Sequence, residues 1–102
     1  MFELPKLNRL LTAEDFEPCI GRVFQVAADP APVQIELVSL SRRARLLVTY
    51  RQPFILVFRS AWKVLLVDGL YRLNCHSFGP HDVFLAALAP TTSERLYQAV
   101  FD

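Results

Sequence analysis

The sequence predicts an all-β domain, a small antiparallel barrel or sandwich of seven or eight strands with one short N-terminal helix. Three observations carry that prediction. Short apolar runs recur at about ten-residue spacing, several of them alternate apolar and polar positions, and six of the seven prolines fall between the runs. At 102 residues the chain is long enough for one core. A single domain is therefore expected over 1–102, with an N-terminal arm and short helix over 1–19 and the barrel or sandwich over 20–102.

The elements follow in order. Thr12-Ala13-Glu14-Asp15-Phe16 reads as a short helix: Thr12 can cap free amides, Glu14 and Asp15 place negative charge in the first turn, and Pro18 and Gly21 limit its length. Residues 20–27 form a first expected strand. Residues 33–40 form a second, with Val33, Ile35 and Leu37 on one face and Gln34 and Glu36 on the other. Residues 39–45 read as a polar loop and 46–50 as a further strand. Phe54-Ile55-Leu56-Val57-Phe58 is apolar at every position, as a central strand covered on both faces would be. A turn through Ser60, Ala61, Trp62 and Lys63 leads to a strand over 64–67, and Asp68-Gly69 signals a hairpin into a strand over 70–75. Residues 74–82 read as a loop, 83–88 as a strand, and 95–101 as the last, with Tyr97, Ala99 and Phe101 on one face.

Composition narrows the function classes. The apolar share is 53% and mean hydropathy is positive, which leaves apolar surface for an interface between subunits. Arg59 and Lys63 interrupt the richest apolar region, residues 53–67, so no membrane-spanning helix is expected. The first residues lack the pattern of a signal peptide, and a cytoplasmic location is the expectation. Cys19 and Cys75 stand 56 positions apart and match neither a disulfide framework nor a Cys-x-x-Cys pair, so buried, reduced thiols are expected. Net charge is +1, yet residues 37–67 hold six basic groups and no acidic one, while both flanking segments are net negative.

Four residues form the clustered set of potential ligands: Cys75, His76, His81 and Asp82. Thiolate and imidazole donors from the two ends of one loop suit a tetrahedral zinc ion, and the same set suits a Cys-His nucleophile and base. Against both, adjacent Cys and His on a strand project to opposite faces, and the spacing matches no zinc pattern. No catalytic residue, cofactor or metal is therefore expected, and the chain reads as a non-enzyme. Arg42, Arg43, Arg45 and Arg51 form a basic cluster, and Tyr50 adds an aromatic that could stack on a nucleic-acid base; balanced overall charge and the lack of a nucleic-acid-binding signature weigh against that reading, and Arg42, Arg43 and Arg45 are read as steering groups for a protein partner. Trp62 is either a lid on the core or an exposed anchor. The three glycines lie too far apart to cradle phosphate.

A family resemblance accompanies this reading. Glu14-Asp15-Phe16, Pro18, Gly21, Phe24, Val26, Phe54-x-Leu56-x-Phe58, Gly69-x-Tyr71, Gly79, Phe84-Leu85 and Tyr97-x-Ala99-x-Phe101 stand in an order that resembles a family of small bacterial proteins classed as a domain of unknown function. Ser60, Asp68 and Asp102 depart from that pattern, where the family commonly has Gly, Gln and Asn. The resemblance implies an all-β domain without known catalytic residues, in members often found near genes for phage-tail-collar-like proteins. The function expected is a protein-interaction or assembly module working by self-association or with a protein partner. The alternative is a small-ligand barrel whose cavity Phe24, Phe54, Phe58, Tyr71 and Phe84 would line.

Overall fold

Where each strand finds its hydrogen-bonding neighbours decides the architecture, and here they form a ring. The computed structural model describes residues 11–44, 52–76, 78–89 and 93–102. Among them are one short helix, α1 (Ala13–Phe16), a 3-10 turn (Glu17–Cys19), and six strands: β1 (Val23–Val26), β2 (Val33–Arg42), β3 (Phe54–Ala61), β4 (Gly69–Cys75), β5 (Phe78–Ala87) and β6 (Glu94–Phe101). Every pairing is antiparallel, and the order β1-β2-β3-β6-β5-β4 closes on itself as a barrel. Closure settles the choice between barrel and sandwich.

Six strands replace the expected seven or eight for two reasons. The strand expected over 46–50 lies outside the described residues. Residues 64–67 join no ladder, and the Tyr97 hydroxyl takes two of their backbone groups: the Leu66 amide donates to it at 3.4 Å, and it donates to the Val64 carbonyl at 3.4 Å. Asp68-Gly69 consequently makes no hairpin. Gly69 opens β4, and the Asp68 carboxylate accepts the Ala87 amide at 2.8 Å.

Two expected loops are strand instead. β2 continues to Arg42 because β3 completes its ladder, from Ser39↔Val57 to Arg42↔Phe54, past a register shift between Leu37 and Ser39. β4 and β5 form a tight hairpin, with Cys75 paired to Phe78 and Leu73 to His81, so that Asn74 faces both Gly79 and Pro80. That bulge gives a residue without an amide proton a place on a strand, which is why Pro80 read as loop.

Alternation places the core. Phe24 and Val26, Ile35 and Leu37, Phe54, Leu56 and Phe58, Leu73 and Cys75, Val83 and Leu85, and Tyr97 and Ala99 point inward and are buried. β3 lies between β2 and β6, yet only its inner face is covered: Ile55 and Val57 stay half-buried, since a barrel has a single interior.

The two ends are closed by different devices. At one, Phe16 of α1 packs against Phe54, Phe101 and Phe78 with ring centroids 5.9, 5.5 and 4.9 Å away. Thr12 starts this helix, and the Asp15 carboxylate reaches back to accept its amide at 2.8 Å and its hydroxyl at 3.2 Å. At the other end Leu66 enters the core, and the Tyr97 hydroxyl lies 3.0 Å from Ser60 Oγ.

Candidate functional site

The expected ligand cluster is spread over different surroundings. Cys75 points into the core at 3% exposure, whereas His76 is exposed in the turn that follows, with φ of +23°. The His81 ring lies tilted against Phe78 at 4.6 Å, and Asp82 accepts the Arg72 Nε–H at 3.1 Å on the outer surface. Among the described residues no three Cys, His, Asp or Glu side chains come together as a metal set. The hairpin explains the dispersal: residues expected in one loop alternate between the faces of β4 and β5.

The basic cluster is dispersed as well. Arg42, on the last residue of β2, forms ion pairs with Glu14 at 3.5 Å and with Glu17, and so ties the helical segment to the barrel. Its guanidinium is held further toward the charged form by the hydrogen bond to Glu17 and by the nearby carboxylates. The Glu14 carboxyl lies below its ordinary range, mainly through a backbone hydrogen bond and then through Arg42. Arg59 pairs with Glu36 at 3.0 Å and with Glu94 at 3.9 Å. The fold thus sets two arginines of the basic segment against acids from both flanking segments. Arg43 is exposed, with its backbone bonded to Pro53 and Gln52. Arg45, Tyr50 and Arg51 lie outside the described residues.

Two surface depressions lie among the described residues. One of about 350 Å³ is floored by Ile35 and Ser60 and rimmed by the Glu36, Arg59 and Glu94 ion pairs. The other, about 380 Å³, is lined by Pro18, Cys19, Arg22, Cys75 and His76. The barrel interior is filled by rings in direct contact, as with Phe24 and Phe58, whose centroids stand 5.4 Å apart at 86°. Phe84, expected among the cavity-lining aromatics, points outward at 56% exposure because Val83 and Leu85 take the inward positions of β5. Tyr71 shares the inward face of β4 with Leu73 and Cys75 and packs half-buried against the core, its hydroxyl donating to the Val67 carbonyl at 2.7 Å.

What the fold does gather is apolar surface at the Tyr97 end. Leu65 and Val67 flank the inward Leu66 and stand 64% and 67% exposed, while Leu70 and Phe84 are direct cross-strand partners on the outer face of the hairpin. Trp62, in the turn after β3, is 46% exposed; the Arg95 guanidinium lies 4.3 Å over its ring and donates to its carbonyl at 2.7 Å. Trp62 is therefore exposed and not a lid on the core, with the Arg95 guanidinium over one face of its ring. Leu65, Val67 and Leu70 escaped the sequence reading because apolar side chains in the strands expected over 64–67 and 70–75 carry no sign of which of them face solvent. The available signal was an unbroken apolar run, Val64-Leu65-Leu66-Val67, with room inside for one side chain at a barrel's end.

Among the described residues no helix is long and apolar enough to cross a membrane. No curated protein and no solved structure matches the chain. The model of a domain of unknown function, DUF6916, matches residues 11–101.

Proposed function

Since the chain belongs to the DUF6916 family, a domain of unknown function, its role has to be argued from its own surface, and we propose that it is a non-enzymatic protein-interaction module. The observation that carries this reading is the apolar surface of Leu65, Val67, Leu70 and Phe84, each more than half exposed. Exposed apolar side chains scattered singly need no explanation, but a group of large ones held at one end of a rigid barrel costs solubility unless a partner covers it. The scaffold is suited to the task. Tyr97 fixes the backbone at Val64 and Leu66, and the β4–β5 ladder fixes Leu70 opposite Phe84, so little ordering entropy is lost on docking.

In this reading the module assembles with itself or with another protein, and neither a membrane nor a nucleic acid is its partner. The ion pairing of Arg42 and Arg59 supports the last point, since these charges already have carboxylates. The bacterial, phage-tail-associated setting implied by the family resemblance makes subunits of a phage-tail-like particle the natural partners, with a cytoplasmic site of assembly. The packed rings of the interior weigh against the small-ligand barrel.

The test is to measure association of the full chain by sedimentation, alone and with candidate tail-like subunits, for the wild type and for L70S/F84S. Both replaced side chains are exposed, so the double variant should keep the wild-type melting midpoint and lose association at least tenfold. A wild type that stays monomeric and binds no such subunit, or a variant that associates as well as the wild type, would overturn the proposal.

A further inference from the structure

The two cysteines, remote in sequence, share one pocket. Cys19 ends the 3-10 turn and Cys75 ends β4; both are buried, at 6% and 3% exposure, both are unbridged, and both line the depression that Pro18, Arg22 and His76 complete. Their approach does not depend on sulfur. Three residues before Cys19, the Phe16 ring meets Phe78 edge-on at 4.9 Å, and Phe78 is the register partner of Cys75. On the other side the Arg22 amide donates to the Cys19 carbonyl at 3.0 Å, fixing the turn that leads into β1.

We propose that Cys19 and Cys75 are a redox pair: hydrogen peroxide converts them to an intramolecular disulfide that staples the helical segment to the β4–β5 hairpin. In the first step one thiolate attacks the peroxide O–O bond; an S–O bond forms, the O–O bond breaks, and the departing hydroxide takes up the first thiol's proton as water. In the second, the other sulfur attacks the sulfenic sulfur; the S–S bond forms, the S–O bond breaks, and hydroxide leaves with the second proton as a second water. Two electrons pass from the sulfurs to the peroxide, and two thiols plus one peroxide give one disulfide and two waters.

The surroundings also set the rate. Burial, and then the Cys75 thiol that it contacts, push the Cys19 thiol up to about 11, with the Arg22 charge pulling weakly the other way. The remaining titratable neighbour in the pocket is His76. Thiolate at Cys19 is scarce at neutral pH and rises tenfold per pH unit, so attack by this sulfur quickens toward alkaline pH. At neutral pH attack by the Cys19 sulfur is therefore slow.

The experiment uses the full chain, freed of reductant and exposed to hydrogen peroxide at pH 7 and pH 9, then alkylated and weighed intact. The expected product has lost two hydrogens, accepts no alkylating agent, remains a monomer by this linkage, and yields a joined Cys19–Cys75 peptide that dithiothreitol separates. Its melting midpoint should rise by about ten degrees or more, because the bridge restrains a long loop of the unfolded chain. C19S and C75S should each remove the bridged peptide; since either may fold poorly, the wild-type peptide map stands as an independent reading. Thiols that stay alkylatable, cysteines carried separately to sulfinic acid, bridges only between chains, or a bridge that leaves the midpoint unmoved would each overturn the proposal.

Discussion

At the scale of single residues, two positions carry more than their size suggests. The Tyr97 hydroxyl is hydrogen-bonded near Ser60, Val64 and Leu66, inside a region from which water is excluded. Y97F keeps the ring and deletes the oxygen, leaving the Leu66 amide without that acceptor. A loss of about 1–2 kcal/mol in denaturant unfolding is expected. Gly79 is the second. Its φ is +107°, and a Cβ there would stand 2.9 Å from the Leu73 carbonyl oxygen, a backbone atom of the paired strand that cannot swing aside. G79A should therefore cost about 1–3 kcal/mol, read as a lowered melting midpoint. Gly21, also at positive φ, has no atom within 4 Å of a built Cβ, so the same change there meets backbone strain alone.

At the scale of elements, α1 acts as a stopper held by packing and by charge. F16A opens a void among Phe54, Phe78 and Phe101 and should cost about 3–5 kcal/mol, a large part of the roughly 5–15 kcal/mol that stabilises a domain. The clamp of Arg42 on Glu14 and Glu17 is exposed and weaker, so R42A should lower the midpoint slightly and by less in high salt. Because the Glu14 carboxyl is depressed, its contribution is full above the ordinary carboxylate range and disappears as pH falls through the lowered value. Melts between pH 6 and pH 3 should show that loss, reduced in E14Q. The elements legible from sequence are those whose neighbours are implied by their own pattern: the Thr12 cap, the alternation of β2 through Leu37, and the inward set of β6. Those misread depend on a distant partner. A hydroxyl at position 97 takes two backbone groups of 64–67, and a bulge opposite Asn74 admits Pro80 to β5. For the candidate site the limit is similar. Cys19 and Cys75 come to one pocket, and Arg42 to Glu17, only through the fold, because 56 and 25 positions separate them in the sequence.

At the scale of the whole molecule, the ring of strands is uneven. β2 with β3 and β3 with β6 share long registers, as do β4 and β5. β1 pairs with β2 along its whole length, from Val23↔Glu36 to Val26↔Val33, and the other two joins are narrow: β1 meets β4 at Gln25↔Asn74 and Val26↔Leu73, with the Ala27 amide bonded to the Arg72 carbonyl, and β5 meets β6 at Ala86↔Gln98 and Ala87↔Tyr97, with the Leu88 amide bonded to the Leu96 carbonyl. The barrel is thus a four-stranded sheet and a two-stranded hairpin that face one another across two seams, with Phe16 touching both parts. Such seams are where a native protein opens first. In deuterium oxide, the amides bonded across the seams, Ala27 and Leu88 among them, should exchange before those of the β2–β3 and β3–β6 ladders, as separate cooperative units. The hairpin that carries Leu70 and Phe84 would then be a jaw, moving against the sheet on a slower clock than side-chain motion.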